Sequence, residues 1–446
     1  MSSKKFAGNP QKGYYLFAGF VLLLHLLFFG YQMFHQRYYL LDSKEYVQAA
    51  DNLREHQTLF SGDLEAKPLR MDHYSKRPFV YPALLATAQA LFGHEKWLIP
   101  LQVLLSLFNI YWVFAFSKLF AWRKTPYWLF AILILLYPAQ LIYANLLMTE
   151  ILFQTEIMLM VYGLILAHRQ RSLPLLSLIG LLLILSMITK PIMYLFCVPL
   201  LLLYGIWAWQ WRKAGLLLVA IIPILFVWGY QEWNESRTGY FHFSSIQNLS
   251  LLQYTTYNLL QYTYGSELAL HKADSILYAS LDIADYGESQ RYLQSACFEV
   301  VGQHPGQYLV FHIKGMLNFF LDPGRFDLYH FFGWETVGGE GLQIAFSRGG
   351  YQGVLEYLGQ QPLGRLGFLL FIALANACKG LALLVFPFVK RLSWWDKILV
   401  LLLIFYVAGL TGVSGASRFA VPLFPLMLVV VGCVWQELPQ LRNKRQ

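Results

Sequence analysis

Apolar runs of about twenty residues recur along the chain, separated by short polar breaks. They fall near 14–35, 97–120, 126–144, 147–167, 173–189, 191–210, 214–231, 363–389, 396–412 and 418–436. A helix of that length crosses roughly 30 Å of hydrocarbon, so each run is read as a membrane span. Two apolar stretches are shorter, 79–92 and 308–321, and as helices of about 14 residues they would reach only about 21 Å. They are expected to lie along the membrane surface, the second carrying His312 and Lys314 within its apolar pattern. The pattern predicts an all-α polytopic membrane protein: a bundle of about ten transmembrane helices with interfacial helices and a cap on one face. It divides into an N-terminal transmembrane module (1–231, with a first loop at 36–96), a loop or cap region (232–362), and C-terminal spans with a basic tail (363–446).

The charges give this arrangement a direction. Arg123-Lys124, Arg169, Arg171, Arg212-Lys213, Lys390-Arg391 and Lys397 fall on one side, with Lys4, Lys5, Lys12, Arg442, Lys444 and Arg445 at the termini. Short cytoplasmic loops collect Lys and Arg, so that side is expected to be the cytoplasm. Counting either short stretch as a span would place Arg123-Lys124 or Lys390-Arg391 outside. Of the 25 acidic residues, seven lie between 36 and 78 and thirteen between 232 and 362, so the polar chemistry belongs on the opposite, outer face. Turn signals at His304-Pro305-Gly306, Asp322-Pro323-Gly324 and Gly338-Gly339 punctuate the second segment.

Composition agrees, with 57% hydrophobic and 13% charged residues. The net charge of +9 is spread through inter-helix loops and forms no basic surface for nucleic acid. Cys197, Cys297, Cys378 and Cys433 have no metal-site spacing and suggest no disulfide framework. The first apolar run is too long for a cleavable signal and is expected to remain as an anchor. Asp42 follows it closely, where a carboxylate stays ionised at the membrane surface while facing a substrate whose tail is in lipid.

Five short patterns occur in order. They are Asp42-Ser43-Lys44-Glu45-Tyr46 continuing to Ala50 and Asn52-Leu53; Arg77-Pro78-Phe79-Val80-Tyr81-Pro82; Thr149-Glu150; Thr189-Lys190-Pro191; and Gly415-Ala416-Ser417-Arg418-Phe419 with Pro422 and Pro425. Together they resemble the GT-C glycosyltransferases, in particular the protein O-mannosyltransferases and the aminoarabinose transferases of lipid A. The resemblance covers about 14–240 and the last two spans and is poorest across 240–410. It implies transfer of a sugar, with inversion, from a polyprenyl-phosphate donor to an acceptor hydroxyl on a lipid-linked glycan, an envelope polymer or a protein. It also implies a multi-pass address with the site facing outward, in a bacterial inner membrane; a eukaryotic endoplasmic reticulum membrane stays open as the alternative, where the sequons Asn234-Glu235-Ser236 and Asn248-Leu249-Ser250 would matter.

That chemistry needs a carboxylate to take the acceptor proton and cations opposite the leaving phosphate. Asp42 is the candidate base. Glu45, three residues on, would share its helix face and could orient the acceptor, bind a metal or raise the pKa of Asp42. The competing reading is a helix N-terminus, with Asp42 or Ser43 capping and Glu45 in an acidic first turn. The resemblance places Arg77, Tyr81, Glu150, Lys190 and Arg418 in the substrate site. Arginine grips phosphate bidentately and lysine acts as a point charge, although each of these cations could instead snorkel to headgroups. Glu156, deeper in its span than Glu150, reads as structural. A divalent ion between Asp42, Glu45 and Glu150 stays open, since some members of the family use metals and others do not. The histidines form no metal cluster. Tyr254, Tyr257, Tyr262 and Tyr264 suit an interfacial belt better than sugar stacking. Lys379 falls inside an expected span and suggests a misplaced boundary. Two other functions remain: a transporter or flippase of lipid-linked sugars, which would need polar groups along a path through the membrane, and a catalytically inactive scaffold on the same fold.

Overall fold

The computed structural model describes residues 10–334 and 342–437, and no strand occurs among them. The Gly338-Gly339 turn signal and the terminal cations Lys4, Lys5, Arg442, Lys444 and Arg445 lie outside the described residues. The N-terminal half runs α1 (Pro10–His35), α2 (Leu41–His56), α3 (Val80–Phe92), α4 (Leu98–Leu119), α5 (Tyr127–Leu135), α6 (Pro138–Ala144), α7 (Glu150–Gln170), α8 (Leu173–Thr189), α9 (Cys197–Trp211) and α10 (Gly215–Thr238). Then come α11 (Ile246–Ser250), α12 (Tyr257–Tyr264), α13 (Ser266–Leu281), α14 (Tyr286–Gln303), α15 (Pro305–Leu321), α16 (Arg325–Phe332) and α17 (Leu342–Gln360). Three helices close the bundle: α18 (Leu363–Val385), α19 (Trp394–Thr411) and α20 (Phe424–Trp435).

Eight helical stretches among the described residues are long and apolar enough to cross a bilayer. They contain α1, α4, α7, α9, α10, α18, α19 and α20, so the protein is an integral multi-pass membrane protein. The expected span 126–144 is not straight. It breaks into α5 and α6, bent by 66°, because Pro138 supplies no N–H to the helical ladder and pushes Tyr137 out of the helical region. The expected span 173–189 is α8, 17 residues long and short of the others. The stretch expected at 79–92 is the 13-residue α3.

α7 and α20 are the most enclosed spans, whereas α1, α10 and α18 leave most of their apolar side chains facing outward. A set of uncharged polar groups ties the interior together. His25 of α1 and Gln140 of α6 both bond Ser106 of α4 at 2.8 Å. Gln140 and Gln154 of α7 exchange two amide bonds of 2.8 Å, and Asn109 of α4 donates to Gln154 at 3.0 Å. Lys379 does not mark a boundary, contrary to expectation. It is well inside α18 and 4% exposed, with its ammonium over the faces of Tyr137 (3.8 Å) and Phe424 (4.8 Å). The two ring faces give its amino group contacts at that depth.

The segment between α10 and α18 packs partly on itself, with Leu252, Ala273, Leu293 and Cys297 forming a small core of their own. α15 crosses the end of α19 where Gly315 meets Gly412. A Cβ at Gly315 would collide with the Gly412 carbonyl, so the close crossing requires glycine.

Candidate functional site

The charged positions lie at helix ends, where side chains leave the helix axis and converge. Asp42 and Glu45 occupy the first turns of α2. Ser43, between them, accepts a hydrogen bond from the Leu40 N–H at 2.9 Å, so the capping role falls to Ser43 and leaves the Asp42 carboxylate free to reach outward. Lys76 and Arg77 precede α3. Glu150 is the first residue of α7, where the helix dipole favours a negative charge. Lys190 stands before Pro191, which forces it into extended backbone (φ −143°, ψ 112°) and turns its side chain away from α8. Arg418 lies in the 3-10 turn Ser417–Leu423 that leads into α20, just after Gly415 in left-handed conformation (φ +55°).

These side chains form one continuous chain of ion pairs. Lys76 Nζ donates to Glu45 Oε1 at 2.7 Å, and Arg77 bridges Glu45 Oε2 (2.7 Å) to Asp42 Oδ1 (2.7 Å). Arg418 then bridges Asp42 Oδ2 (2.7 Å) to Glu150 Oε1 (2.6 Å), and Lys190 Nζ reaches the same Glu150 oxygen at 2.9 Å. Four cations thus face three carboxylates, leaving one positive charge in excess. The chain runs from open to closed: the Asp42 side chain is 29% exposed and that of Glu150 0%. Burial alone would raise the pKa of Asp42, but Arg418 and Arg77 override it and hold the carboxyl far below the usual carboxylate range. Burial opposes the charge on Arg77, but Tyr46, Asp42 and Glu45 together raise its pKa.

Six of the seven expected site residues meet in this chain. The seventh, Tyr81, lies behind it. It is buried, its hydroxyl donates to Gln102 at 2.6 Å, and its ring meets Tyr46 edge-on at 5.1 Å. Tyr46 in turn lies under the Arg77 guanidinium at 4.8 Å, so Tyr81 props the arginine from below. Glu156 stays apart, accepting from Thr189 at 2.7 Å. Tyr262 and Tyr264 carry Lys314 and Lys272 over their rings at 4.7 and 4.4 Å, on exposed surface.

A divalent ion does not fit the carboxylates as they stand. Both oxygens of Asp42 and both of Glu45 are held by cationic side chains, and no group of three His, Cys, Asp or Glu able to hold a metal occurs among the described residues.

Two features went unread in the sequence. Lys76 belongs to no pattern, although its place beside Arg77 was a signal. Asp327 of α16 is buried next to Arg418's neighbour: it accepts from Tyr143 (2.7 Å) and from Ser417 (2.8 Å), while Asp322 accepts from the Ser417 N–H (2.7 Å). Burial pushes the Asp327 carboxyl up to about 6, against the lowering effect of its two donors. The loop carrying Lys76 and Arg77 is fastened from α10's far side. Ser75 Oγ bonds His242 Nε2 at 2.5 Å, and Ser244 and Ser245 donate to the carbonyls of Ser75 (2.8 Å) and Asp72 (2.6 Å). His242 Nδ1 faces the Tyr240 carbonyl at 2.6 Å and must donate to it, so Nε2 is the acceptor from Ser75; burial lowers the ring's pKa and keeps it neutral. No family model, curated protein or solved structure matches the chain.

Proposed function

We propose that the protein is a membrane glycosyltransferase that moves a sugar from a polyprenyl-phosphate carrier to an acceptor hydroxyl, with inversion, on the outer face of a bacterial inner membrane. One observation carries this reading: a partly exposed carboxylate, Asp42, is clamped between two arginines in a chain that holds one unneutralised positive charge. A sugar phosphodiester brings one negative charge, which matches that excess. The Lys and Arg distribution supports the orientation, and the ordered sequence patterns support the donor class.

In this mechanism the acceptor oxygen attacks the anomeric carbon as the carbon–phosphate-oxygen bond breaks. The bonding pair leaves with the carrier phosphate, whose charge grows by one, and Arg418 and Lys190 stabilise that growth. The acceptor proton passes to Asp42. A carboxylate held by two guanidiniums is a weak base, but an incoming phosphate competes for Arg418 and loosens one of those holds. Donor binding thereby raises the basicity of Asp42 when it is needed. Glu150, wholly buried, keeps Arg418 and Lys190 in place while the phosphate comes and goes.

The test is mass spectrometry of lipid-linked sugars and envelope glycans in cells with the wild type, Asp42→Asn or no copy. The expected outcome is accumulation of one carrier-linked sugar and loss of one glycan residue in both defective strains, with transfer down by about 10²–10⁴ in Asp42→Asn. A null strain that changes while Asp42→Asn behaves as wild type would move transport or scaffolding ahead of catalysis.

A further inference from the structure

Lys379 belongs to a polar pocket that the Asp42 chain does not use. Asn376 and Lys379 stand one turn apart on α18 and line a cavity of about 20 Å³ between α18, the end of α15 and the turn that leads into α20. Tyr137, at the bend between α5 and α6, and Asp322 complete its polar lining, and Phe319 and Phe424 lie on its apolar side.

Three of the four polar groups have no protein partner among the described residues. The Tyr137 hydroxyl and Asn376 Oδ1 are buried without a hydrogen bond. Lys379 is 4% exposed, and its amino group meets only the ring faces of Tyr137 and Phe424. The Asn376 amide cannot turn to help, because its Nδ2 donates to the Asp322 carbonyl at 2.8 Å. The Asp322 carboxylate accepts from the Gly324 N–H (3.0 Å) through Oδ1 and from the Ser417 N–H (2.7 Å) through Oδ2, so each oxygen keeps a lone pair. Unpaired polar groups are costly at such depth, and three of them around one cavity call for a shared partner.

We infer that the cavity is a binding site for one ordered water, which joins Lys379, Tyr137, Asn376 and Asp322. A water needs a cavity of about 10–15 Å³ and several polar partners, and this one supplies both. The hydrogen bonds also balance. Water accepts two and donates two: the Tyr137 O–H and a Lys379 N–H donate to it, and Asn376 Oδ1 and the Asp322 carboxylate accept from it. The Lys379 amine has an N–H to give in either protonation state. An anion would face the oxygens of Asn376 and Asp322, and an acyl chain would leave every polar group unpaired. Because Asp322 also holds the N–H of Ser417, the residue before Arg418, the water ties α18 to the turn that carries Arg418. This site does not depend on glycosyl transfer.

The experiment is electron cryo-microscopy of the full chain in lipid nanodiscs, at a resolution that shows ordered water, with hydrogen–deuterium exchange across 415–423. The wild-type map should show one density within hydrogen-bond reach of all four groups, and Lys379→Met should lose it. Exchange at the Ser417 N–H should rise about fivefold in Lys379→Met, the scale of one lost hydrogen bond, with α7 unchanged. Lys379→Gln keeps a donor and should stay within about twofold of the wild type. Tyr137→Phe removes only the hydroxyl, should raise exchange by a smaller factor, and serves as the milder variant if Lys379→Met folds poorly. An empty cavity or an acyl chain in the wild-type map would overturn the site. So would exchange at 415–423 unchanged in both Lys379→Met and Tyr137→Phe, or raised as much in Lys379→Gln as in Lys379→Met.

Discussion

Glu150 and Gln154 lie one turn apart on α7, yet they belong to opposite solutions of the same burial problem. Glu150 is the buried carboxylate of a chain of seven charged side chains that surfaces at Asp42. Gln154 belongs to a closed set of uncharged groups, with His25, Ser106, Asn109 and Gln140, in which each amide bond is made between buried partners. Neutral amides can be satisfied permanently at modest cost, and they serve to hold helices together. Charges at such depth are worth keeping only where something must exchange with them, because the same space filled with apolar side chains is often as stable or more so. Under the proposed function, the difference divides α7 between framework and candidate site.

Removing a link from the charged chain is the strongest way to test that separation. Arg418→Ala leaves the buried Glu150 with Lys190 as its only cation and Asp42 with Arg77 alone. It should destabilise the protein by about 3–5 kcal/mol and abolish transfer, with the stability read as thermal unfolding in detergent. Arg418→Lys should recover most of the stability but not the transfer, since an ammonium cannot bridge two carboxylates with a planar fork. Recovery of full activity by lysine would show that the bridge geometry is immaterial.

Asp327 tests the border between the two systems, since it is a carboxyl with no cation in hydrogen-bond reach among the described residues. Its folded-state pKa is raised to about 6, so its stabilising contribution is complete below its unfolded value near 4 and is lost as pH rises through 6. The difference in stability between wild type and Asp327→Asn should therefore shift by up to about 3 kcal/mol between pH 4 and pH 8, to the disadvantage of the wild type at the higher pH. A flat difference would mean that Tyr143 and Ser417 hold Asp327 ionised throughout, and it would then count with the charged chain.

The spans were legible because hydropathy over twenty residues is a property of each helix by itself. Asp42, Glu45, Arg77, Glu150, Lys190 and Arg418 were legible as individual positions, each charged residue lying next to a helix end or a proline. Their joining into one chain was not, because it depends on how α2, α7 and the turn before α20 approach one another, and no periodicity records that. The bend between α5 and α6 has its signal in Pro138, but hydropathy over 126–144 shows one continuous apolar run and no angle. Lys379 was misread because its compensation is two aromatic faces more than 200 and some 45 residues away in sequence, at Tyr137 and Phe424. The neutral set was visible only as isolated Gln, Asn and His letters in apolar runs, which signal buried partners without naming them.

The smallest expected effect is at the neutral set, and it completes the contrast. Gln154→Leu removes the amide that joins Gln140, Asn109 and the Val421 carbonyl (2.5 Å). Interhelical bonds of this kind contribute little each, because a loosened membrane helix finds other partners, so the loss should be about 1–2 kcal/mol. Transfer per folded molecule should stay within about threefold of wild type, since no charge in the chain from Lys76 to Lys190 is touched. Measured side by side, Arg418→Ala should lose activity far beyond its loss of stability, and Gln154→Leu should lose only stability. If Gln154→Leu also abolished transfer in molecules still folded, the division along α7 would fail: the amides would then set the position of Glu150, and with it Arg418, closely enough to be part of the site.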